Sequence, residues 1–131
     1  MGREIVKVEK VGMREVEGIL NHLSEMCNKI SSEKGWNDEP RSFGDLIALL
    51  HSEASEALEE FRDGRMFNET YYDPFDTKII KKPEGIPSEL ADVLIRVFQM
   101  CGALDIDIGA AFVEKCAFNR TRPRMHGGKV I

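Results

Sequence analysis

A basic excess, paired cysteines and long apolar runs are all missing from this sequence. Acidic residues number 23 against 18 lysines and arginines, a formal charge of −5, which argues against a general nucleic-acid binder. No stretch approaches the roughly 20 consecutive apolar residues that a membrane span needs. Cys27, Cys101 and Cys116 make an odd count with no C-x-x-C pair. They predict reduced core thiols in a cytoplasmic protein rather than a disulfide framework or a zinc site. The opening MGREIVKVEKV lacks the continuous apolar core of a secretory signal. Five prolines and 11 glycines in 131 residues exclude collagen-like and low-complexity classes. What remains is a chain that is 42% hydrophobic, enough apolar material for one compact domain over residues 1–131.

Apolar residues recur at three- and four-residue intervals in four stretches, which predicts an all-α protein with a four-helix bundle-like core over 13–123. The first stretch spans 13–34, with Val16, Ile19, Leu20, Leu23, Met26, Cys27 and Ile30 on one stripe and Gly35 as the stop. The second spans 43–63. Ser42 and Asp45 have capping-box spacing, Leu46 to Phe61 supply the buried face, and Gly64 ends it. The third spans 87–102 with Pro87 in its first turn. It is apolar around most of its girth, so it is expected to be surrounded by its own domain or by a partner subunit. The fourth spans 107–121 and stops before Pro123. Residues 1–12 read as an N-terminal arm and 124–131 as a tail. The 64–87 connection is long and rich in aromatics, which marks a functional or mobile loop that packs on something.

Chemistry concentrates on the second and third helices. Glu53 and Glu56 are three apart, as are Glu89 and Asp92, so each pair shares a helical face. At about 100° per residue, Glu53, Glu56 and Glu60 border the apolar stripe rather than oppose it. Glu89, Asp92 and Arg96 form the narrow polar strip of a largely apolar helix. Side-by-side packing would bring four carboxylates to one point, where they repel and call for a cation. An all-oxygen set suits Mg²⁺, with Mn²⁺ or Ca²⁺ as substitutes, and points to phosphate-ester or anhydride chemistry. The competing reading is ordinary: an E-x-x-E on a charged helix is commonly solvated surface.

Residues 115–131 hold five basic side chains and no acidic one. Lys115, Asn119 and Arg122 fall at four- and three-residue spacing, a face suited to phosphate oxygens, or a basic terminus that complements the helix dipole. Trp36, the only tryptophan, sits between the first two helices, either stacked on a nucleobase or plugging the end of a bundle. No P-loop pattern and no E-x-x-H pair is present, which sets aside P-loop chemistry and a di-iron bundle.

The segments HSEASEALEEFR (51–62), SELADVLIRVF (88–98) and EKCAFNRTRP (114–123) resemble the MazG-like all-α nucleoside triphosphate pyrophosphohydrolases, related to dCTP and dUTP pyrophosphatases. The likeness covers roughly residues 13–123. It implies hydrolysis of a (d)NTP to (d)NMP and pyrophosphate, with Mg²⁺ held by Glu53, Glu56, Glu89 and Asp92. It also implies phosphate contacts from Lys115 and Asn119, a base contact near Trp36, and a dimer or tetramer with sites at subunit contacts. Glu53 and Glu56 are the expected water-activating groups, and Arg122 is expected to help stabilise the departing pyrophosphate. Two features depart from the pattern. Ser52 stands where the family often has a further glutamate, and the 57–88 separation exceeds that of the shortest members. The alternative is a non-catalytic helical oligomer that binds nucleotides or a protein partner.

Overall fold

The computed structural model describes residues 12–124. The proposed arm and tail therefore lie outside the described residues, except for Gly12 and Arg124. Four helices are present among those described: α1 (Met13–Glu33), α2 (Phe43–Arg62), α3 (Ile86–Ala103) and α4 (Ile108–Thr121). Each agrees with its sequence-derived span to within about a residue at either end. None of the described helices is long and apolar enough to cross a membrane.

Local chemistry sets the ends. Asp45 N–H donates to Ser42 Oγ at 3.1 Å and Ser42 N–H donates to Asp45 Oδ2 at 3.3 Å, closing the capping box of α2. Asp107 caps α4 by accepting from Ala110 N–H at 3.0 Å. The same carboxylate accepts from Asn21 Nδ2 at 3.0 Å, while Asn21 Oδ1 accepts from Gly109 N–H at 2.9 Å, so α4 is clasped to α1 at its first turn. These bonds hold the Asp107 carboxyl below its ordinary range, the Ala110 amide contributing most.

Helices α1, α2 and α3 stop by one mechanism. A residue with positive φ follows the last turn: Gly35 at 81°, Gly64 at 86° and Asp105 at 56°. The next amide then reaches back, Trp36 to Ser31 O, Arg65 to Glu60 O and Ile106 to Cys101 O. These are Schellman stops, and they fix where Trp36 and Arg65 leave their helices.

α3 packs on both α1 and α2, and α4 packs on α1. Among the described residues the order α2–α3–α1–α4 is a row of packed helices, with no substantial α2–α4 packing to close it. At Gly102 the α1–α3 approach is close enough that a Cβ would lie 2.6 Å from Asn28 Cβ. Ser24, buried in that contact, donates its hydroxyl to Phe98 O at 2.7 Å.

The enclosed core is thin. Among the described residues Cys27, Ile86, Met100 and Cys101 are the buried hydrophobic side chains, and burial pushes both thiols up. Leu58 (57% exposed), Phe61 (53%), Leu90 (52%) and Leu94 (57%) lie open on α2 and α3. The sequence places Leu58 and Phe61 on the buried face of α2. They are exposed because, among the described residues, α3 is the only helix packed substantially on α2.

The connection from α2 to α3 is tied at its neck. Tyr71 and Glu84 pair through two backbone bonds of 3.0 Å. Tyr71 donates its hydroxyl to the Glu60 carboxylate, 2.9 Å from each oxygen, and the Arg65 guanidinium lies 3.5 Å from the Tyr71 ring centroid. Gly85, at φ 118°, must be glycine because a Cβ would collide with the Glu69 carbonyl. Beyond the neck, Phe75, Ile79 and Ile80 are exposed.

Candidate metal centre and adjoining cavities

Packing of α2 on α3 brings Glu53, Glu56 and Glu89 together. One carboxylate oxygen from each lies within 4.8 Å of the others. Asp92, one turn beyond Glu89, is not in that group. It lines a cavity of about 200 Å³ with Glu53, Trp36 and Arg96. Glu60, on the same strip of α2 as Glu53 and Glu56, accepts a hydrogen bond from the Tyr71 hydroxyl.

The three glutamates differ in their surroundings. Glu89 is 8% exposed, and its Oε2 is buried without a hydrogen-bond partner. An orphaned carboxylate oxygen is costly unless it meets a proton or a cation. Burial first, then a hydrogen bond shared with Glu56, then the charges of Glu56 and Asp92 push the Glu89 carboxyl up to about 7; Lys82 opposes them. Glu53 is oriented from the other side, where its Oε1 accepts from Arg96 Nε at 3.0 Å. Glu56 is exposed on the outer side of the cluster. Three carboxylates, one of them carrying an orphaned oxygen, fit a divalent cation of the Mg²⁺ type, with positions left over for water or a phosphate.

Trp36 stands at the far side of this group. Its ring centroid lies 4.8 Å from the Arg41 guanidinium and 5.1 Å from that of Arg96, a cation–π arrangement. It therefore lies within reach of the carboxylates through Arg96, which touches both Trp36 and Glu53. A larger cavity of about 380 Å³ lies against Trp36, Asn28, Asn37 and Gln99. Gln99 also lines the smaller cavity, so Trp36 and Gln99 are shared by both.

The three predicted phosphate ligands are placed elsewhere. Lys115, Asn119 and Arg122 are exposed on or just beyond α4, which packs on α1 rather than on the carboxylate helices. Lys115 Nζ lies 5.8 Å from the Phe118 ring and the Arg122 guanidinium 5.9 Å from it. Within one chain these groups are not brought to the carboxylates.

Two contributors escape a reading of the charged pairs alone. Arg96 is visible in the polar strip, but its bond to Glu53 joins two helices and has no local signature. Gln99 follows from extending the strip by one more three-residue step: 89, 92, 96, 99. In comparisons with protein-family models, with curated proteins and with solved structures, nothing matches this chain.

Proposed function

We propose that this protein is a Mg²⁺-dependent nucleoside triphosphate pyrophosphohydrolase, converting a (d)NTP and water to (d)NMP and pyrophosphate. The observation that carries the reading is the meeting of Glu53, Glu56 and Glu89, the last with a buried, unpartnered Oε2. The resemblance of residues 51–62 and 88–98 to the MazG-like family supplies the reaction class. Glu53, Glu56 and Glu89 hold the cation, and Asp92 completes the set from the adjoining cavity. The ion, with Mn²⁺ as a substitute, supplies charge neutralisation for the polyphosphate oxygens. Arg96 holds Glu53 in register, a supporting role typical of groups behind metal ligands. Exposed Glu56, with fewer protein partners than Glu53, is the better placed to orient a water and accept its proton. Trp36 offers an aromatic face to a base.

Lys115, Asn119 and Arg122 enter this reading from a second copy of the chain. Leu58, Phe61, Leu90 and Leu94 form an apolar surface on α2 and α3 that association would cover. A homo-oligomer of this kind would let the basic face of one subunit meet the carboxylates of another.

The test is a panel of nucleoside triphosphates incubated with Mg²⁺ or with chelator, the products being resolved. Pyrophosphate and monophosphate, formed only with the metal, are expected. Release of orthophosphate, or no product from any nucleotide, would overturn the proposal.

A further inference from the structure

Lys82 stands at the foot of the 64–87 connection, just ahead of Gly85, the N-cap of α3. The backbone that follows it is held residue by residue. Pro83 O accepts from the Ser88 hydroxyl at 3.0 Å. Glu84 is paired with Tyr71 through its N–H and its carbonyl. Gly85 O accepts from Glu89 N–H at 3.1 Å. These bonds fold the foot of the loop against the first turn of α3, the turn that carries Glu89 with its buried, unpartnered Oε2.

The backbone is fixed, but the Lys82 side chain is not. It is 77% exposed, and its Nζ lies 3.9 Å from Glu84 Oε1, too far for a hydrogen bond. The position does nothing for the helix, because the helix dipole opposes a positive charge ahead of an N-terminus. What the ammonium does act on is the carboxylate group: its charge works at Glu89 against the burial and repulsion that raise that carboxyl.

The charge balance of the centre calls for such a cation. Glu53, Glu56 and Glu89 meet there, with Asp92 in the adjoining cavity, and Arg96 pairs with one of them. One divalent ion does not neutralise that set once it is ionised, and a polyphosphate brings more negative charge to it. Lys115 and Arg122 lie on or just beyond α4, away from these helices. Lys82 needs no second copy of the chain. Order along α3 assigns the part of the ligand it meets. Lys82 and Glu89 are at the N-terminal end, Asp92 follows, and Arg96 with Trp36 lies beyond. Seven residues of helix separate Glu89 from Arg96, a rise of about 10 Å. With the nucleoside on the Trp36 side, the phosphate chain runs past the carboxylates towards Lys82.

We propose that Lys82 binds the distal phosphates of the substrate, the part that leaves as pyrophosphate, and that the foot of the 64–87 connection thereby selects long phosphate chains over monophosphates. The proposal deepens the nucleotide reading above and rests on it for the class of ligand, but it is tested by binding and not by turnover. A lysine suits the task, being a compact charge on a flexible stem that follows its anion.

The experiment is calorimetric titration, in excess Mg²⁺, of wild type, Lys82→Ala, Lys82→Arg and Glu84→Gln. The long-chain probe is inorganic tripolyphosphate and the short-chain probe is a nucleoside 5′-monophosphate. Lys82→Ala should weaken tripolyphosphate binding about tenfold, the low end for a charge-assisted bond because the side chain is exposed. Its monophosphate Kd should stay within about twofold of wild type, and Lys82→Arg should keep tripolyphosphate affinity within about threefold. Glu84→Gln frees the ammonium from its neighbour, so it should leave tripolyphosphate binding unchanged or tighter. The gap between wild type and Lys82→Ala should narrow as salt rises from about 0.05 to 0.5 M. Equal tripolyphosphate affinity in wild type and Lys82→Ala would overturn the proposal, as would equal weakening of both probes or a wild type that does not bind tripolyphosphate. Weakening by Glu84→Gln to the level of Lys82→Ala would also overturn it, because the effect would then belong to the fold of the loop's foot. Melting curves report whether each variant is folded, and Lys82→Gln, which keeps part of the stem, decides the matter if Lys82→Ala is destabilised. Lys82-dependent tripolyphosphate binding without nucleotide hydrolysis would leave this inference standing while the enzymatic reading falls. Hydrolysis with indifference to Lys82 would do the reverse.

Discussion

The α2–α3 face and the α4 face carry opposite charges and opposite kinds of order. On α2 and α3, Glu53, Glu89 and Arg96 are partly or largely buried, and each is fixed by a neighbour on the facing helix or by enclosure. On α4, Lys115, Asn119 and Arg122 are exposed and answer to nothing on the carboxylate helices. Groups built into a helix–helix contact carry their geometry with them. Groups on an open face acquire theirs from whatever docks there. In the reading proposed above, one chain builds the cation end of the site and the basic end is supplied across a subunit contact.

The largest expected effect comes from breaking the built side. Glu89→Gln removes the ligand with the orphaned oxygen, and turnover should fall by 10²-fold or more while the fold persists. Steady-state rates and circular dichroism check this. Arg96→Ala acts one step back, releasing Glu53, and should weaken Mg²⁺ activation by about 10–100-fold. A Mg²⁺ titration of the rate would show it, and an unchanged half-saturation point would count against the role of Arg96. The open side is sharpened by mixing. Lys115→Ala and Glu89→Gln proteins, each impaired alone, should regain measurable turnover when their subunits exchange; no recovery would place the basic face outside the site.

Smaller effects read the unequal burial directly. Glu89 is raised from 4.5 to about 7, so in the metal-free protein the native state retains a proton that the unfolded chain has lost. Stability should therefore fall as pH rises from about 4.5 to 7, and Glu89→Gln should flatten that slope in thermal melts. Above pH 7 the variant should melt roughly 3–8 °C higher than wild type in chelator. Least of all, Tyr71→Phe deletes the bond to Glu60 at the neck of the loop. It should cost about 1–2 kcal/mol in denaturant unfolding.

The helices were legible because each depends on neighbours in sequence: the Ser42–Asp45 box, the glycines at 35 and 64, the apolar spacing. The pairing of Glu53 and Glu56 with Glu89 was legible too, since two carboxylate-bearing helices with adjoining apolar stripes have few ways to pack. Asp92 stands outside the group of three because one helical turn beyond Glu89 carries its oxygens along the axis into the next cavity. Leu58 and Phe61 looked buried because periodicity reports a sticky face without saying what covers it. The bond between Glu60 and Tyr71 was not legible for a related reason, as Tyr71 arrives from a loop whose path no periodicity describes. Gln99 needed only the polar strip to be followed one step further.

Titration calorimetry of the metal-free protein with Mg²⁺ near pH 7 tests the central claim most directly. The account predicts one saturable binding event that releases protons as Glu89 ionises and that disappears when Glu53, Glu56 and Glu89 are all changed to glutamine. The same heat and the same stoichiometry in the triple variant would contradict it.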